Sequence, residues 1–450
     1  MPLRSIVNAR IAMSAGISPA DMDYIQLLFT DVAGRLKSLE VPSSRWRATR
    51  DRGWSVDGSV MLGEGDRSHG NLRLVPDPDA FLVRPWHTPS GRSVGLVFCH
   101  VLDADGEPFA ADARTRLRQA VVRSQARGQL PVFGAEADFY LLRDTQPAMA
   151  PTDNGCCWDL VDQEQADEVC RDTSDALELM GCTVSGHRHE AGPGQRVIVF
   201  RHGDALATAD RLLLLKHTAR TMARRRGMRA VFMPKPLAHR HGNALRVHVS
   251  LSGTDTEARP LFHDPDAPGN MSTLFQQSLA GVLEHADALT ALGNPTVNSY
   301  KRLAPAPGAP VYRAWGRCNG STAFKVAGDE AVPESMRLEL RSPDSATNPH
   351  LLFTAILAAF WDGQDRGLKL PGAYEELDAS PSEPGGTTCP VGRLPADLPA
   401  ALRALEEDAT VLAAVGELAA RSWTARGRAD WHAWHQLVTP WEVDRYLESV

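Results

Sequence analysis

The segment Ala135-Glu136-Ala137-Asp138-Phe139-Tyr140-Leu141 alternates with the period of a β-strand. Successive strand side chains point to opposite sides, so one face carries Ala135, Ala137, Phe139 and Leu141 and the other Glu136 and Asp138. Two later segments repeat the pattern. In Leu245–Leu251 the apolar positions are 245, 247, 249 and 251, opposite Arg246, His248 and Ser250. In Met336–Arg341 they are 336, 338 and 340, opposite Arg337, Glu339 and Arg341. Such faces have two readings. They are the solvated side of a sheet, or they line a cleft for phosphates and divalent cations, because carboxylate oxygens suit Mg²⁺ and Mn²⁺ and arginine grips phosphate or carboxylate bidentately.

The surrounding 450 residues are 43% hydrophobic and 23% charged, which excludes disordered, collagen-like and coiled-coil chains and leaves room for two or three domains. With 48 Lys+Arg against 55 Asp+Glu the net charge is −7, which speaks against nucleic-acid binding. No apolar run has signal-peptide or membrane-spanning length. The seven cysteines show no CxxC or zinc spacing, and adjacent Cys156-Cys157 suggests no redox chemistry. Reduced thiols, a cytoplasmic location and no membrane partner are therefore expected.

From about Ile17 to Val101 the chain is turn-rich with short β-like runs, and Pro76-Asp77-Pro78-Asp79 reads as a strong turn. A helix is predicted over 110–127, followed by alternating strands and helices. The stripe Leu212, Leu215, Ala219, Met222 and Ala223 predicts a core-facing helix stopped at Gly227. Ser380–Pro390 reads as a surface loop. Trp431, Trp434 and Trp441 read as packing or subunit contacts, and His187 and His189 as structural.

Several motifs, in order along the chain, resemble signatures of the glutamine synthetase family. They are Val56-Asp57-Gly58-Ser59, Leu74-Val75-Pro76-Asp77-Pro78, Gly134–Phe139, His189-Glu190 with Pro193-Gly194-Gln195, Met233-Pro234-Lys235-Pro236, Asn294–Leu303, Arg337–Asp344 and Thr439-Pro440-Trp441-Glu442. The resemblance implies an α+β fold with an N-terminal β-grasp domain (17–105) and a catalytic domain (106–450) built on a bowl of antiparallel strands. It further implies a homo-oligomeric double ring, small-molecule acid and amine substrates, and ATP with Mg²⁺ or Mn²⁺. The chemistry implied is phosphorylation of a glutamate γ-carboxylate, then displacement of phosphate by an amine.

Residue by residue, the match is incomplete. One metal set of the family falls on Asp138, Glu190 and Val197, the other on Glu136, Arg246 and Glu339; valine cannot coordinate a metal and a guanidinium repels one. The flap glutamate that takes a proton from the amine is Gly308. Gly320 and Lys325 replace arginines, and His241 replaces a substrate-contacting asparagine beside a retained Gly242. Arg302 and Arg341 match the arginines for substrate carboxylate and phosphoryl group. Arg337, His248 and Ser250 match nucleotide-side positions, and Asp57 matches an ammonium-site aspartate given by a neighbouring subunit.

Glutamate to valine and histidine to arginine together add about the charge of one divalent ion, so Arg246 is expected to replace the ion beside Glu136 and Glu339, leaving at most a weak cation site at Asp138 and Glu190. Two functions remain open: a ligase using an amine other than ammonia, with fewer metals, or a non-catalytic relative acting as scaffold, sensor or partner.

Overall fold

The apolar side of residues 135–141 is packed shut, with Ala135, Ala137, Phe139 and Leu141 all buried. The computed structural model describes residues 17–62, 70–144, 150–162, 164–306, 308–329, 331–375 and 391–449. The loop expected at 380–390 lies outside them.

Five strands build the amino-terminal sheet: β1 (Tyr24–Thr30), β2 (Leu36–Pro42), β3 (Trp54–Asp57), β4 (Asn71–Val83) and β5 (Val94–Leu102). Their order is β2-β1-β5-β4-β3, with β1 and β5 parallel and the other pairs antiparallel, an arrangement of β-grasp type. Pro76-Asp77-Pro78-Asp79 is not a turn. It is an irregularity inside β4, whose register against β5 shifts between Pro76 and Phe81. Proline removes a ladder donor, and at an irregular place a strand accommodates it by bulging rather than ending.

The bulge carries a function in the fold. Asp77 Oδ2 accepts a hydrogen bond from Arg114 Nη1 at 2.9 Å, and Arg114 also pairs with Asp210 at 3.0 Å. Asp210 in turn meets His350 Nε2 at 2.8 Å. One buried guanidinium on helix Ala113–Ala126 thus joins the sheet to helices Ala205–Arg225 and Pro349–Asp365. A second fastening lies nearby, where Asn348, which caps helix 349–365, donates to the carbonyl of Val32 at 3.0 Å.

The larger sheet has nine strands: β6 (Gln129–Arg143), β7 (Val184–His189), β8 (Gln195–Phe200), β9 (Gly203–Asp204), β10 (Met228–Val231), β11 (Leu245–Gly253), β12 (Tyr312–Gly316), β13 (Thr322–Ala327) and β14 (Arg337–Leu340). The order is β12-β13-β14-β11-β6-β8-β7, with β9 and β10 also pairing β6. All pairs are antiparallel except β12 with β13. Helix 205–225 buries the predicted stripe, and Gly227 ends it at φ 67°. Trp431 and Trp434 pack with ring centroids 5.1 Å apart, whereas Trp441 is exposed. Among the described residues, no helix is long and apolar enough to cross a membrane.

Helix 349–365 is buried along nearly its whole length and crosses helix Thr273–Glu284 at two glycines. A Cβ on Gly281 would lie 2.0 Å from the carbonyl oxygen of Ala359, and one on Gly363 2.1 Å from that of Gln277. Backbone cannot step aside as a side chain can. Gly281→Ala is therefore expected to cost about 1–3 kcal/mol in urea unfolding; an unchanged midpoint would show that the helices separate freely.

Near this crossing, the buried His285 bonds Asp408 through Nδ1 at 2.6 Å and Asp362 through Nε2 at 3.0 Å. Burial pulls its pKa down, but the two carboxylates outweigh burial and leave it raised. A raised pKa adds stability that is fully present below the unfolded-state value and is lost as pH rises through the folded-state value. The stability difference between the native protein and His285→Asn should therefore shrink on going from pH 6 to pH 9. A constant difference would mean that the imidazole stays neutral throughout.

Candidate active site

The polar sides of β6, β11 and β14 are not left to solvent. Asp138, His248 and Glu339 are buried, while Glu136, Arg246 and Arg337 are partly so. Cross-strand register sets Arg246 opposite Glu136, and sets both His248 and Lys325 opposite Glu339. Ser250 follows His248 two residues on, on the same face, partly buried.

Glu190 is held by the tight connection between β7 and β8. Its N–H donates to the Gln195 carbonyl at 3.0 Å. Gly194 turns there at φ 71°, where a Cβ would stand 2.9 Å from the carbonyl oxygen of Leu141. The connection is anchored by Asp153, which accepts from Gly194 N at 2.7 Å and Arg196 Nη2 at 2.9 Å, and meets His189 Nε2 at 2.8 Å. His189 is thus a structural residue.

Two guanidinium groups converge on Glu136 and Glu190. Arg188 Nη2 donates to Glu136 Oε2 at 2.8 Å and Glu190 Oε1 at 2.9 Å. Arg246 Nη1 reaches the same two oxygens at 3.1 and 3.4 Å, and Asp138 Oδ1 at 3.9 Å. Trp158 lies beneath Arg188, its ring centroid 4.8 Å from the guanidinium carbon, a cation–π contact. Burial alone would raise the Glu136 pKa, but His248, Arg188 and Arg246 hold it well below the usual carboxylate range. Asp138 goes the other way. Burial raises its pKa, with Glu190 adding, beyond what Arg246 and the Ala244 amide take back.

The network continues through His248. Arg337 Nε, which can only donate, lies 3.2 Å from His248 Nδ1, so Nδ1 accepts and the proton sits on Nε2 facing Glu136 Oε1 at 3.3 Å. His202 stacks on His248 at 5.5 Å, in space left by Gly134, where a Cβ would come within 2.0 Å of its ring.

Further along, Arg302 donates to the carbonyls of Ser342 (2.6 Å) and Arg341 (2.9 Å). Arg341 donates to those of Asn319 (3.0 Å) and Gly320 (2.6 Å), with Glu339 at 3.5 Å. Burial pulls Arg302 down to about 10, still charged at neutral pH. Gly242 makes room for it, since a Cβ there would lie 2.8 Å from Arg302 Cγ. Gly308 rests against Gly320, its Cα 3.4 Å from where a Cβ at 320 would stand, and supplies no side chain to act as a base.

The expected partners of Arg246 need correction. It does not bridge Glu136 and Glu339. It bridges Glu136 and Glu190, because the register places His248, not Arg246, opposite Glu339. At Asp138 and Glu190, where a weak cation site was expected, Arg246 Nη1 stands 3.9 and 3.4 Å from the two carboxylates and Arg188 Nη2 2.9 Å from Glu190. Val197, buried between Asp138 and Arg188 in the strand register, adds no ligand. Among the described residues, no three His, Cys, Asp or Glu side chains stand ready to hold a metal. The donors are of the right class for Mg²⁺ or Mn²⁺, but fixed cations already sit on them. The residues do not fit the ion pair that the resemblance implies.

Two candidate positions lie apart from this cluster. His241 is exposed and only its carbonyl takes part, accepting from Tyr140 Oη at 2.7 Å. Asp57 is exposed at the end of β3, where Oδ1 accepts from Ser59 N at 2.8 Å. The residue that sequence reasoning underweighted is Arg188. Its signal was period-two spacing from Glu190, which puts both on one side of an extended strand end.

Comparison with known proteins bears on the whole chain. Family profiles described as the β-grasp domain and the catalytic domain of glutamine synthetase match residues 21–104 and 110–446. The glutamine synthetase of Thermotoga maritima is 36% identical over 434 residues, covering 96% of this chain and 98% of that protein. That of Halobacterium salinarum is 34% identical over 436 residues, covering 96% and 95%. Among solved structures, the GmaS/ADP complex superposes with a TM-score of 0.84 at 30% identity, covering 98% of this chain and 99% of the other. A structure described as a novel glutamine synthase homolog gives a TM-score of 0.80 at 26% identity, covering 93% and 96%. With its two domains, strand bowl and end-to-end similarity, the chain belongs to the glutamine synthetase family.

Proposed function

We propose that this protein is an ATP-dependent carboxylate–amine ligase that uses an amine other than ammonia, with Arg188 and Arg246 as permanent replacements for metal charge. One observation carries the reading: two arginine nitrogens share the same two carboxylate oxygens, as a bridging cation would. In the proposed reaction an oxygen of the acid attacks the γ-phosphorus of ATP and ADP departs. The amine nitrogen then attacks the acyl carbon, phosphate departs and the nitrogen loses a proton. Arg302 and Arg341, held in place by backbone carbonyls, are assigned to the acid and the transferring phosphoryl group. His248, Ser250, Lys325 and Arg337, on neighbouring strands, are assigned to the nucleotide, a role in keeping with the ADP complex of a structural neighbour.

Gly308 favours an amine that arrives neutral or bulky, because no flap carboxylate is present to deprotonate ammonium. Asp57 would enter the site of a neighbouring protomer in a ring assembly, with His241 and Gly242 at the substrate side. A non-catalytic role is the second reading, favoured by the lack of a flap base and by the closed metal positions.

Phosphate release from ATP, measured with glutamate and a panel of ammonia, polyamines, ethanolamine and amino acids, separates the two. Release with an organic amine exceeding that with ammonia supports the ligase. No release with any amine, together with no ATP binding by calorimetry, overturns it in favour of the second reading.

A further inference from the structure

Between the amino-terminal sheet and helices 205–225 and Glu417–His435 lies a cavity of about 980 Å³. Neither the four acidic residues of the bowl nor Arg302 or Arg341 line it. Three lining residues, Lys216, Arg220 and Arg224, follow one another at single-turn spacing on one helix. Like charges at i,i+4 repel, so a helix face built this way is unfavourable until something negative meets it. Arg35 and Arg426 extend the basic lining from the other walls, and Asp430 is the single carboxylate among the lining residues.

Little within the chain answers this charge. Among the described residues, none of the five basic side chains has a carboxylate oxygen within ion-pair distance. Asp31, whose carboxyl feels Lys37, Arg35 and Arg426, is bonded to the Arg35 amide and paired with Lys37. Burial, with Arg220 adding, pulls the Lys216 pKa down to about 8, and only Asp344 pulls it back. The other walls are receptive to a small ligand: Gln26 and Ser38 offer hydrogen bonds from β1 and β2, and Leu28 and Leu96 offer apolar surface. The volume matches a small molecule rather than a segment of protein.

We propose that this cavity is a second ligand site, for a small molecule with two or more anionic groups such as a diphosphate or a polycarboxylate. The three helix positions span about 12 Å, so anionic groups separated by one or two helical turns would each meet a cation. Its occupant would touch both domains. It would also touch Pro295, Thr296 and Asn298, the last of which grips Lys235 through both backbone groups just before helix Ser299–Arg302. The site stands whether or not the bowl is catalytic.

The test is calorimetric titration of the full chain with inorganic pyrophosphate and, separately, with citrate; preference for one tells phosphate from carboxylate chemistry. At least one is expected to bind, with Arg220→Gln/Arg224→Gln weakening Kd at least tenfold and Arg302→Gln/Arg341→Gln changing it less than twofold. Arg35→Gln/Arg426→Gln, which alters the opposite walls, should weaken Kd at least threefold and guards against misfolding of the helix variant. Binding of neither probe, or binding abolished by the Arg302/Arg341 pair and untouched by both cavity pairs, overturns the proposal.

Discussion

Arg114→Met is expected to destabilise the folded protein by about 3–5 kcal/mol, the cost of breaking a buried pair by removing one partner. Arg114 is almost fully buried and is shared by Asp77 of the amino-terminal sheet and Asp210 of helix 205–225. Removing it leaves two carboxylates at a domain junction, with His350 beside Asp210 and His100 and the Asp79 amide beside Asp77. Urea unfolding followed by circular dichroism measures the loss. Because the pair spans both domains, the variant should also separate one transition into two. A loss under 1 kcal/mol would mean that water or neighbouring groups already neutralise Asp77 and Asp210.

Arg246→Met should cost about 3 kcal/mol, at the lower end of the same range because Arg188 keeps its hold on Glu136 and Glu190. The loss falls mainly on Asp138, whose Oδ1 has no hydrogen-bond partner and depends on Arg246 for a nearby positive charge. Adding Asp138→Asn to Arg246→Met should recover a substantial part, because it removes the carboxylate left without its cation, as a double-mutant cycle would register for groups this close. Simple additivity of the two losses would show that the pair does not interact, whatever the distance between them.

The three charged strand faces were legible because a strand's side chains obey a strict period of two, and burial then chose the cleft over the solvated face. The positions of Glu136, Asp138, Arg246, His248 and Glu339 on the sheet follow from that rule alone. What the rule does not give is register between strands. Arg246 was paired with Glu339 in expectation, whereas the β11–β14 register brings His248 there and frees Arg246 for Glu190. Arg188 escaped notice as a site residue because β7 is short and polar on both sides, so its alternation carries little contrast. Pro76-Asp77-Pro78-Asp79 has the composition shared by turns and bulges. Only the neighbouring strand, and the Arg114 that claims Asp77, decides between them.

If guanidinium groups occupy the places of metal ions, the native protein should not take up those ions. Mn²⁺ titration followed by electron paramagnetic resonance tests this directly, reading free Mn²⁺ in solution against native protein and against Arg188→Met/Arg246→His, which returns a neutral ligand beside Glu136, Asp138 and Glu190. The expected result is no uptake below millimolar Mn²⁺ by the native protein and at least one tighter site in the double variant. Micromolar uptake of Mn²⁺ by the native protein, lost when Glu136 and Glu190 become glutamine, would contradict it.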